Sequence, residues 1–152
     1  MRAILVLLLL VSACGADPPC DAAAYFVAGT HLSSFRCADP ATPMCFDGTD
    51  TLTVTQDGTA MAPGNTVSFT DDVGGSFTGK LCGSTFTWSG RGMGFAEAGT
   101  WTFTSADRFT KTTAFDPDDG SGRGCCIGEG GRMGAVQPGM PATCPALGCS
   151  PP

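Results

Sequence analysis

Between Asp50 and Phe115 the chain alternates polar and apolar residues with a period of two. Thr51-Leu52-Thr53-Val54-Thr55 sets the pattern. Thr66-Val67-Ser68-Phe69-Thr70, Ser76 to Leu81, Thr85-Phe86-Thr87-Trp88-Ser89 and Thr100-Trp101-Thr102-Phe103-Thr104 repeat it, and Arg108 to Phe115 is the last and least regular run. Alternation of this kind places successive side chains on opposite faces of a strand, one buried and one wet. Threonine suits the wet face, because its β-branch favours the extended backbone and its hydroxyl meets water. Turn signals at Gln56-Asp57-Gly58, Ala62-Pro63-Gly64-Asn65, Asp71 to Gly75, Cys82-Gly83-Ser84 and Ser105-Ala106-Asp107 separate the runs. Connections this short join antiparallel neighbours.

The pattern predicts an all-β fold: an antiparallel meander of about six to eight strands, curled into a small barrel or packed as a sandwich. Leu52, Val54, Val67, Phe69, Phe77, Leu81, Phe86, Trp88, Trp101 and Phe103 would share one apolar face, which must be covered by closure or by a second layer. Tyr25-Phe26-Val27 is a further strand or short helix in this reading. Gly90 to Gly94 is a glycine-rich strand connection and lacks the phosphate-loop pattern. The last 36 residues, Pro117 to Pro152, hold nine glycines and six prolines. That composition predicts an irregular tail, pinned by its four cysteines rather than folded on its own.

The N-terminus follows a different rule. Arg2 precedes an unbroken apolar run from Ala3 to Val11, too short to cross a bilayer, which takes about 20 residues. A positive start, a short apolar stretch and small residues before a cut mark a secretory signal. Val11-Ser12-Ala13-Cys14 resembles the lipobox of bacterial lipoproteins. The resemblance implies cleavage before Cys14, a diacylglycerol on its sulfur and an acyl group such as palmitate on the new amine. Each buried CH₂ contributes roughly 0.8 kcal/mol, so several chains hold where one would not. By the family's sorting rule, Gly15 in place of aspartate implies the outer membrane. The expected organisation is a signal peptide over 1–13, a lipidated tether over 14–19, a β domain over 20–116 and the irregular tail over 117–152.

Removing 13 of the 152 residues leaves 139, enough for one domain with a real core. Fourteen acidic side chains face eight basic ones, and one of the eight, Arg2, leaves with the signal, so the mature chain carries −7. Such a charge argues against nucleic acid or a polybasic membrane contact. With Cys14 set aside, eight cysteines remain: Cys20, Cys37, Cys45, Cys82, Cys125, Cys126, Cys144 and Cys149. An even number in an exported chain implies a disulfide framework, whose pairing the sequence leaves open. Adjacent Cys125 and Cys126 are expected to take different partners. No Cys-x2-Cys pair is present and His31 is the only histidine, so neither a metal site nor a cofactor is expected.

Candidate chemistry is sparse. His31 stands in no catalytic motif, and Gly-x-Ser-x-Gly is missing. Asp116-Pro117-Asp118-Asp119-Gly120 breaks the EF-hand spacing and reads as a solvated acidic turn. Glu97, one of two glutamates, has no identifiable carboxylate partner across a cleft. Trp88 and Trp101 lie in phase with Phe86 and Phe103 and would face either a packed core or a ligand. Gly99-Thr100-Trp101 resembles the Gly-x-Trp signature of lipocalin-like barrels, which that family carries on its first strand. The resemblance implies a barrel around an apolar small molecule. The expectation is a membrane-anchored envelope lipoprotein with a small non-catalytic β domain, binding or structural in role. A lipocalin-like carrier is the alternative, and a secreted hydrolase ranks last.

Overall fold

The computed structural model describes residues 19–42 and 44–150; Cys14 and the cleavage site lie outside the described residues. Eight strands run in chain order: β1 (Gly29–Ala38), β2 (Phe46–Thr59), β3 (Ala62–Thr70), β4 (Ser76–Cys82), β5 (Thr85–Gly92), β6 (Phe95–Ser105), β7 (Arg108–Pro117) and β8 (Gly124–Arg132). Each pairs antiparallel with the next, and β8 pairs with β1, so the sheet closes into an up-and-down barrel. Closure removes the free edges that an open sheet would present to other chains. All ten residues of the predicted apolar face are buried inside.

Two of the eight strands escape the alternation rule. The segment past Phe115, expected to be irregular, supplies β8, and the barrel therefore crosses the expected boundary at residue 117. The inward positions of β8 are nearly bare, and neighbouring strands fill them. A Cβ on Gly124 would strike the Phe115 ring, one on Gly130 the Phe109 ring, and one on Gly128 the Ser34 carbonyl, with Phe35 and Lys111 close behind. Strand β1 carries His31, Ser33 and Cys37 buried inward, a mostly polar row. Its partner bond Cys37–Cys126 crosses the β1–β8 seam between residues that face each other in register.

Three expected loops also differ. Ala62 to Asn65 lies within β3, and the turn is the preceding pair Ala60-Met61. Gly58 is a bulge in β2, where the register with β3 shifts and its φ is +81°; a left-handed bulge residue is a glycine position. Gly90 to Gly92 completes β5, leaving Met93-Gly94 as the turn. Tyr25 to Val27 is neither strand nor helix. With Ala23, it packs into one end of the barrel, where Val27 is fully buried. Side-chain amides hold this plug: Gln56 Oε1 accepts from Val27 N–H (2.7 Å) and Gln56 Nε2 donates to Tyr25 O (3.1 Å). Cys20–Cys82 ties the chain just before this segment to the end of β4.

The other end is open. Among the described residues its rim is formed by 39–42, 44–45, 71–75, 93–94 and 118–123. The C-terminal segment runs up the outside towards this rim. Arg36 Nη1 donates to Ala142 O (3.0 Å), and Cys45–Cys144 and Cys125–Cys149 fasten it. Cys125 and Cys126 thus take different partners, one outside and one inside.

Candidate functional site

The barrel interior is divided into a filled half and a hollow half. Near the plugged end, aromatic rings fill the space. Trp101 sits at the centre, with ring centroids of Phe109 at 4.4 Å, Phe69 at 4.5 Å and Phe86 at 5.2 Å. Edge-on and stacked rings at these spacings give packing beyond area burial alone. Trp88 packs against Phe69 and Phe77 in the same cluster. Both tryptophans therefore belong to the filled half. Among the described residues their indole N–H groups have no hydrogen-bond partner, and both rings border a space of about 20 Å³ beneath the hollow half.

At the open end lies a cup of about 440 Å³. Phe35, Phe46, Phe95 and Phe115 contribute its apolar wall, with the Cys37–Cys126 bridge beside them. Phe115 meets Phe46 and Phe95 edge-on, at 6.4 Å and 6.3 Å. Glycines make room for these rings: a Cβ on Gly48 would overlap Phe35, and one on Gly92 would overlap Phe95. A volume of this size with a few convergent polar groups is typical of small-molecule sites, which span roughly 300–1,000 Å³.

Three ionisable side chains from three strands form the floor: Asp50 of β2, Glu97 of β6 and Lys111 of β7. Lys111 is 9% exposed; its Nζ lies 3.2 Å from Asp50 Oδ2 and 4.5 Å from the centre of the Phe35 ring. Burial raises the Asp50 carboxyl above the usual range, while the Lys111 ammonium pulls against that shift. Glu97 is raised further, to about 7, because burial disfavours its anion and Lys111 only partly compensates. Among the described residues its carboxylate has neither an ion pair nor a hydrogen bond. Asp71, on the β3–β4 connection, also lines the cup; its Oδ1 accepts the backbone N–H of Val73 and Gly75 (3.2 and 2.5 Å).

The other sequence candidates lie elsewhere. His31 is sealed near the plug, where its Nε2–H donates to Val27 O (2.8 Å) and burial lowers its pKa. The acidic run is dispersed: Asp116 pairs with Arg123, Asp118 with Arg91, and Asp119 accepts Ser121 N–H. Among the described residues no group of three or more His, Cys, Asp or Glu is placed to hold a metal ion. Gly99-Thr100-Trp101 sits on β6, not on a first strand. Asp50, Lys111 and the four wall phenylalanines were not singled out by the sequence reading. The available signal was the phase of the strand: Lys111 occupies the same face as Phe109, and Asp50 the same face as Leu52.

No family model matches the chain, and no curated protein matches it. Among solved structures, the chain is similar to the S-type phycobiliprotein lyase CPES from Guillardia theta, with 12% identity and a TM-score of 0.45, over 72% of this chain and 89% of that one. The chemistry of the cup rests on its own residues.

Proposed function

We propose that this protein is an exported envelope lipoprotein whose barrel binds, without catalysis, a small molecule with an apolar body and a polar end. The cup carries this reading: an aromatic-walled hollow of about 440 Å³ ending on Asp50, Glu97 and Lys111. Apolar wall and buried polar floor together favour a ligand that enters apolar part and polar end alike, since a buried polar group left unmatched costs free energy. Four disulfides are consistent with an exported protein in an oxidising compartment.

The anchor is part of the same proposal and rests on the lipobox. Cys20 is bonded to Cys82 at the plugged end. A lipid on Cys14 would therefore attach the barrel by its plugged end, and the cup would face away from the bilayer. On this reading the ligand reaches the cup from the aqueous side. Mass spectrometry of the N-terminal peptide tests the lipid, and an unmodified Cys14 refutes it. Titration with a neutral solvatochromic dye tests the cup. A fluorescence rise that is abolished by Phe46→Asp, with the thermal midpoint preserved, is the expected result. A dye signal insensitive to that substitution refutes the cup as the site.

A further inference from the structure

The four ionisable groups that line the cup come from four separate places in the fold: Asp50 from β2, Asp71 from the β3–β4 connection, Glu97 from β6 and Lys111 from β7. The β1 and β8 lining residues, Phe35, Cys37 and Cys126, carry no charge. Among the described residues three carboxyl groups therefore face one ammonium, and that ammonium is already committed to Asp50. Asp71 is held by two backbone N–H groups of its own turn. Glu97 is the group left over, directed to the cup without an ion pair or hydrogen bond among the described residues. The aromatic wall adds a second preference of the same sign, because ring faces attract cations. Lys111 itself displays that fit, with its ammonium 4.5 Å from the Phe35 ring centre.

Resting on the reading of the cup as the binding site, we infer that it selects a cationic amphiphile, an alkyl or aryl ammonium whose charged end meets Glu97 and whose apolar body lies among Phe35, Phe46, Phe95 and Phe115. An anionic ligand such as a fatty acid would have to displace Asp50 from Lys111 and then sit beside Glu97 and Asp71. A neutral alcohol would gain the wall but not the charge. The Glu97 carboxyl, raised to about 7, is partly protonated at neutral pH, so an arriving ammonium drives it to the anion and releases a proton.

The test is a matched trio on the intact protein at pH 7: octylamine, octanol and octanoate, followed by calorimetry. Octylamine keeps its charge throughout, as an amine with a pKa of about 10. The expected order is octylamine tightest, by tenfold or more over octanol, with octanoate weakest. Glu97→Gln should bring octylamine down to the octanol affinity and leave octanol unchanged. Octylamine affinity should also fall on going from pH 8 to pH 5, while octanol affinity stays flat. Proton release on amine binding, read from the dependence of the heat on buffer, should disappear in Glu97→Gln. Octanol or octanoate binding as tightly as octylamine overturns the cationic preference and leaves the cup standing as a site. Failure of all three ligands to bind overturns both.

Discussion

Replacing Glu97 by glutamine should raise the stability of the folded protein at alkaline pH and leave it nearly unchanged near pH 4. The carboxyl moves from an ordinary 4.5 to about 7 on folding because burial disfavours its charge. Between those two values the folded chain binds a proton that the unfolded chain has released. Stability therefore falls as pH rises through that window and is flat above it. The gap of about 2.5 pH units at about 1.4 kcal/mol each sets a ceiling of about 3–4 kcal/mol. Water and salt at the open cup screen the charge, so roughly 1–2 kcal/mol is the working expectation. Glutamine has nearly the shape of the protonated acid and no titration, so it retains the low-pH stability at all pH values. The assay is urea unfolding of both proteins, disulfides intact, at pH 4, 5.5, 7 and 8.5. The difference between variant and wild type is the quantity to read, since the raised Asp50 carboxyl tilts both curves the same way. Two curves that run parallel over the whole range would refute the placement of Glu97 as a half-buried acid only partly compensated by Lys111.

Three further outcomes follow from the packing. Burial lowers the His31 pKa, so below about 6.5 the unfolded chain takes up a proton that the folded chain resists; this opposes the Glu97 contribution, and as pH falls from 6.5 to 4.5 wild type should lose thermal stability relative to His31→Gln, the difference between the two being the quantity to read. Trp101→Ala removes the centre of the aromatic cluster and should cost ~3–5 kcal/mol, whereas Phe46→Ala, at the half-exposed rim, should stay within about 1 kcal/mol; equal losses in urea melts would contradict the division of the interior. Gly130→Ala puts a methyl into the Phe109 ring and should cost about 1–3 kcal/mol, while Gly139→Ala, which among the described residues meets only Glu129 at 3.8 Å, should melt like wild type.

The central six strands were legible because, over the packed half of the barrel, most inward residues are large and apolar and most outward ones are threonine or serine. The barrel seam was not, and the reason is physical. Strand β8 faces inward through Gly124, Gly128 and Gly130; the Phe115 and Phe109 rings occupy the space at the first and last, and the Ser34 carbonyl, the Lys111 stem and the Phe35 Cβ occupy it at Gly128. The burial that stabilises β8 is written in the sequences of its neighbours. A window over Gly124–Arg132 therefore reads as tail, although the strand pairs on both sides. Strand β1 fails the rule differently, with His31 and Ser33 buried inward among larger groups.

The cup shares this logic in reverse. Asp50, Glu97 and Lys111 stand at inward positions of strands whose next inward residues, Leu52, Gly99 and Phe109, belong to the packed half. Each is a place where an otherwise apolar phase turns charged at the same height in the barrel. A single such residue reads as an irregular strand, as Arg108 to Phe115 did. Register converts three separate irregularities into one floor: Ser33 pairs with Asp50 and Gly130, Gly128 pairs with both Lys111 and Phe35, and Glu97 pairs with Phe115 of the same strand as Lys111. Closing the sheet is what brings β2 and β7 within 3.2 Å at Asp50 and Lys111. The site thus depends on β1 and β8 between them, and a substitution that loosens the seam should separate the floor before it disturbs the aromatic cluster. Gly128→Val, which would push against Ser34 O, Lys111 and Phe35, should therefore weaken dye binding in the cup more than it shifts tryptophan emission from the filled half. Loss of the tryptophan signal together with the dye signal would show that the two halves unfold as one and would refute that separation.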